Sequence, residues 1–98
     1  MILTELEAVL ADRRTADPEA SYTARLLADP ELNQRKIMEE AFEVCLELQR
    51  CAADRGTAEH SERLAEESAD LIYHLLVGLV GADVALDKVF SVLEGRRQ

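Results

Sequence analysis

The sequence predicts an all-α fold in a single domain spanning residues 1–98. Three observations carry that expectation. Ala, Leu, Glu and Arg, all good helix formers, are abundant. Glycine (4), proline (2) and tryptophan (none) are too scarce for a protein of strands and turns. Apolar residues recur three and four apart through most of the chain, the spacing of one helix face.

The first helix covers residues 2–13, where Leu3, Leu6, Val9 and Leu10 form a stripe that stops near Arg13 and Arg14. Asp17-Pro18-Glu19 is a start signal, with Asp as N-cap and Pro at the first helical position, and it opens a short helix or turn through SYTARLLA. Within it, the hydroxyls of Ser21, Tyr22 and Thr23 are expected to cap or to bond locally to the backbone. Asp29-Pro30-Glu31 repeats the signal and begins a long helix to about residue 54, before Gly56, with Ile37, Ala41, Val44, Leu48 and Ala52 as its core stripe. Thr57 is the expected N-cap of the next helix, residues 58–80. Its second half, LIYHLLVGLVGA, is apolar on nearly every side and reads as buried. That run is too short for a membrane span, which needs about 20 residues. A last amphipathic helix carries Val84, Val89, Phe90 and Leu93 for packing or dimer contacts, and the tail Gly95–Gln98 is expected to fray.

A net charge of −9 with no basic patch excludes binding that rests on neutralising nucleic-acid phosphates. Cys45 and Cys51 stand about 9 Å apart along one helix, too far for a disulfide, and are expected to be reduced thiols. MILTELEAVL has neither a basic leading region nor a small-residue cleavage site, so a cytoplasmic location is expected.

The chemistry lies in two carboxylate pairs at the same spacing. Glu40 and Glu43 repeat three apart on the long helix, as do Glu67 and Asp70 on the next. Lys36, Glu40, Glu43 and Glu47 fall within about 60° of one another on the wheel, a stripe that alone reads as a solvated face. Asp70 and His74, however, open the buried part of their helix. A buried carboxylate needs a partner or a metal. Four carboxylates facing each other supply hard oxygen ligands that suit Mg2+, or Mn2+, over zinc. Glu-x-x-His pairs of the di-iron type are absent, as are P-loop and nucleophile-elbow motifs, so water is the expected attacker of a phosphate. Lys36 is a candidate phosphate contact or an ion pair with Glu40, and Arg25 a phosphate contact or plain surface charge. His74 reads as a core histidine or a substrate contact, and Tyr22 as a stacking or bonding group near a base or ribose.

EEAFE at Glu39–Glu43 followed by EESAD at Glu66–Asp70 resembles the EExxE and ExxD signature of the MazG-like all-α pyrophosphohydrolases. SYTARLL, KIMEEAFEV and EESADLIYHLLV are similar, within that group, to the phosphoribosyl-ATP pyrophosphohydrolases of histidine biosynthesis. The resemblance implies a helical bundle of about four to five helices completed by homodimerisation. It implies hydrolysis of phosphoribosyl-ATP to phosphoribosyl-AMP and pyrophosphate. Glu40, Glu43, Glu67 and Asp70 match the metal-binding positions, and Glu39 the leading acid of EExxE, although Glu39 points about 100° away from Glu40. Glu39 or Glu43 is the candidate to orient water. Met38 stands where relatives often carry a small residue, and the approach to Lys36 is less glycine-rich. A pyrophosphohydrolase of other nucleoside triphosphates and a non-catalytic dimerisation module are the competing readings.

Overall fold

The computed structural model describes residues 1–55 and 57–97. Gly56, the expected stop between the two long helices, and Gln98, at the tail expected to fray, lie outside the described residues. Five α-helices appear among them: α1 (Ile2–Asp12), α2 (Tyr22–Ala28), α3 (Pro30–Ala53), α4 (Ala58–Gly81) and α5 (Leu86–Arg96). The all-α expectation holds.

Local chemistry accounts for most of the boundaries. A 3-10 turn, Arg13–Thr15, ends α1. The Asp17-Pro18 signal builds a turn rather than a helix, because the Asp17 carboxylate accepts the Glu19 amide at 3.0 Å and Ser21 is extended. Ser21 is the actual N-cap of α2, accepting the Ala24 amide at 3.2 Å. Asp29 caps α3 as expected, accepting the Leu32 amide at 3.2 Å with Pro30 in the first turn. Thr57 stands at the start of α4 without a side-chain capping bond. Beyond the end of α4, Asp83 takes a left-handed φ of 58°, and Arg14 ties this corner by donating to the Val80 carbonyl and, at 2.7 Å, to the Asp83 carboxylate. The Glu7 carboxylate accepts the Leu86 amide at 2.8 Å, so α1 caps α5 across the sequence.

Helices α3 and α4 pack along their length as an antiparallel pair, with α1 and α2 against α4. The pairing sets Asn33 beside His74, Glu40 beside Glu67, and Glu47 beside His60. The core lies around the C-terminal half of α4: Leu76, Val77 and Val80 meet Leu10, Leu26 and Leu86, with Leu3, Leu6, Tyr73 and Phe90 partly buried around them. Removal of this apolar surface from water is the main stabilising term.

The expected stripes need correction: Val9 on α1 and Leu93 on α5 are exposed, and Val84 precedes α5. On α3, Leu48 and Ala52 are exposed, and the residues buried against α4 are Asn33 and Glu47. On α4, Ile72 and Leu75 are exposed, because the other helices cover only one side of the apolar run. Asp70, expected at the start of a buried segment, is exposed for the same reason.

Candidate functional site

The antiparallel register of α3 and α4 brings carboxylates from both helices together. Glu40, Glu67 and Asp70 each present an oxygen within 4.8 Å of the others, with Glu40 and Glu67 half-buried and Asp70 exposed. Spacing explains the α4 pair, since residues three apart share a face. Burial of the Glu67 carboxyl, its hydrogen bond with Glu40, and the charges of Glu40, Asp70 and Glu43 push its pKa above the usual 4.5. Glu43 adds charge but stands exposed outside this trio. The structure therefore gathers three of the four expected carboxylates. Their hard oxygens and crowded charge fit a divalent cation, which would relieve the repulsion among them.

Lys36 pairs with Glu39 at 3.2 Å, one residue short of the expected Glu40 partner. The bond to Glu39 and its charge, with Tyr22 and Glu40 adding, raise Lys36 above 10.5 against a desolvation effect that lowers it. Lys36 thus lies within electrostatic reach of both Tyr22 and Glu40. Glu39 is exposed and pairs with Lys36, a contact that the wheel, which set Lys36 with Glu40, did not anticipate. Arg25 is exposed on α2, with no ion pair among the described residues.

His74, one turn after Asp70, is 5% exposed and has both ring nitrogens engaged. Nδ1 lies 2.8 Å from the Asp70 carbonyl and Nε2 3.1 Å from the Tyr22 hydroxyl. The Asn33 amide donates to the His74 carbonyl at 3.0 Å. Thr23 Oγ1 and the Tyr73 hydroxyl lie 2.6 Å apart, and the Tyr22 and Tyr73 rings stack with centroids 6.4 Å apart. His74 is therefore set back from solvent, while Tyr22 remains 44% exposed.

Sequence reasoning missed Asn33 and the setting of Glu47. Asn33 lies four residues before Ile37, so extending the α3 stripe backward would have reached it. Glu47 was placed with the acidic face, yet it is 4% exposed, pairing with Arg50 and standing 4.0 Å from His60.

A family model described as phosphoribosyl-ATP pyrophosphohydrolase matches residues 3–97. The chain belongs to this family. A phosphoribosyl-ATP pyrophosphatase of Cereibacter sphaeroides is 46% identical over 96 residues, covering 97% of this chain and 85% of the relative. Those of Dinoroseobacter shibae, 45% identical over 96 residues, and Caulobacter strain K31, 41% over 95, cover 97% of this chain and 86% and 81% of their own lengths. The phosphoribosyl-ATP pyrophosphohydrolase match spans both carboxylate pairs, the SYTARLL segment and the His74 region. Among the described residues, no helix is long and apolar enough to cross a membrane.

Proposed function

We propose that this chain hydrolyses phosphoribosyl-ATP to phosphoribosyl-AMP and pyrophosphate, the histidine-biosynthesis step that its family resemblance implies. The observation that carries the reading is the meeting of Glu40, Glu67 and Asp70, from the two helices that bear the matched acidic motifs, within 4.8 Å. These residues would hold Mg2+, or Mn2+, with Glu43, one turn from Glu40, as the fourth ligand. Bound there, the ion supplies charge neutralisation and polarisation of the phosphate under attack. Glu43 or Glu39 orients the attacking water as its hydrogen-bond acceptor. The Lys36 ammonium and the Arg25 guanidinium contact phosphate oxygens, Lys36 exchanging Glu39 for the more highly charged phosphate. Tyr22 faces the base or a ribose, and His74 serves the substrate through Tyr22.

The working unit is a cytoplasmic single-domain chain in a homodimer. Exposed Met38 and Phe42 on α3, with Ile72 and Leu75 on α4, offer apolar surface to a second copy.

The test is release of pyrophosphate from phosphoribosyl-ATP, ATP and dUTP, with and without millimolar Mg2+. Turnover of phosphoribosyl-ATP well above the others, lost with the metal, is expected. Preference for ATP or dUTP would instead make the chain a pyrophosphohydrolase of ordinary nucleotides. No turnover, and no rise in melting temperature with Mg2+, would leave a helical dimerisation module.

A further inference from the structure

Helix α2 is seven residues long, too short to hold its shape or its place without tertiary contacts, and only Ala24 and Leu26 of it are buried. Its first turn is fastened to α4 by two adjacent hydroxyls. Thr23 Oγ1 lies 2.6 Å from the Tyr73 hydroxyl, and the Tyr22 hydroxyl lies 3.1 Å from His74 Nε2. A helical threonine ordinarily turns its hydroxyl back to a carbonyl three or four residues earlier. Ser21 is extended, so no helical turn precedes Thr23, and its half-buried hydroxyl reaches across to α4 instead. The Tyr73 ring packs half-buried against the core, where a phenol needs a hydrogen-bond partner. Each hydroxyl can donate to the other, so the bond forms whichever does.

Neighbours in a helix stand about 100° apart around its axis. Tyr22 and Thr23 therefore meet His74 and Tyr73 at two different angles, which fixes the roll of α2 where a single contact would leave a pivot. Arg25 shares the Tyr22 face, three residues on, and Tyr22 is within electrostatic reach of Lys36. We propose that Thr23 and Tyr73 are positioning residues: their bond sets the roll of α2, and that roll presents Tyr22 and Arg25 to the nucleotide. The role rests on the hydrolysis proposed above. Both residues act through α2 rather than on the nucleotide, so losing their bond lowers the fraction of chains ready to bind and leaves the bound complex unchanged.

Thr23→Val and Tyr73→Phe each remove one hydroxyl at almost constant shape. Each is expected to raise KM for phosphoribosyl-ATP about fivefold, the worth of one hydrogen bond, with kcat and the Mg2+ midpoint nearly unchanged. The double variant should be no worse than either single one, because both remove the same bond. Thr23→Ser, which keeps the hydroxyl, should stay near wild type. An unmoved KM in both variants, a fall in kcat alone, or penalties that multiply to about twenty-fivefold would overturn the assignment. In urea denaturation without nucleotide, the same cycle is expected to show a coupling of about fivefold in the unfolding constant. Independent effects there would mean that the two hydroxyls do not bond in solution, and would overturn it whatever the kinetics. A wild-type chain that releases no pyrophosphate from phosphoribosyl-ATP would sink the hydrolysis reading and this role with it, whereas turnover with an unmoved KM sinks the role alone.

Discussion

Glu47→Met tests whether the buried acid of α3 is a stabilising element or a tolerated burden. Glu47 is 4% exposed; Arg50 holds one of its oxygens, while Oε2 has no hydrogen-bond partner and stands 4.0 Å from His60 Nδ1, beyond hydrogen-bond reach. Arg50 is half-exposed, so its side of the pair contributes at most about 1 kcal/mol. Desolvating a carboxylate with one oxygen unmet costs several kcal/mol. Methionine keeps the volume and removes that cost, Arg50 turns to water, and His60 retains Asp54 at 3.8 Å on its other nitrogen. The net expectation is a gain of about 1–2 kcal/mol, or about 4–16 °C in Tm for a domain of this size. Urea and thermal melts in metal-free buffer measure it. A loss of more than about 1 kcal/mol would refute the reasoning and make the Glu47 and His60 contact a working part of the fold.

Three further outcomes are expected. Because the native pKa of Glu67 lies above its ordinary 4.5, the metal-free native state binds the proton more readily than the unfolded chain. Its stability therefore rises as pH falls from neutrality through that raised pKa toward 4.5 and drops again as pH climbs, a dependence that Glu67→Gln should flatten in pH-resolved denaturation. Asp70→Asn and Glu43→Gln should abolish pyrophosphate release while leaving the circular dichroism spectrum intact, and Asp70→Asn should also remove the Mg2+ effect on Tm. Full activity in either variant removes that residue from the site. Leu26→Ala, at a position 1% exposed, should cost about 3–5 kcal/mol in urea denaturation, the scale for a large-to-small change in a packed core.

Helix starts were legible where a single side chain decides them, as Asp29 and Pro30 do for α3. The same letters at Asp17 and Pro18 misled, because the carboxylate could satisfy the Glu19 amide in a turn and Ser21 offered a later cap. The spacing of Glu67 and Asp70 placed both on one face, and Glu40 opposite them follows from the antiparallel register of α3 and α4. What spacing does not specify is how the two helices cross, and that decides the exposure of Asp70, the exclusion of Glu43 from the trio and the burial of Glu47. The surroundings of His74 were beyond reach for another reason: its Tyr22 partner lies on α2, and no local period relates them.

Gly78 has a role larger than its size. A Cβ there would stand 3.3 Å from the Asn33 amide nitrogen and 3.6 Å from Ile37 Cδ1, so the bare α-carbon lets α3 and α4 close at this end. Asp70 and Glu67 lie about 12 and 16 Å back along α4, at a rise of 1.5 Å per residue. A methyl at residue 78 would press on the Asn33 side chain, whose amide donates to the His74 carbonyl. The closeness of α3 and α4 at this end is thus set by the one side chain that is missing, at a position remote from Glu40, Glu67 and Asp70.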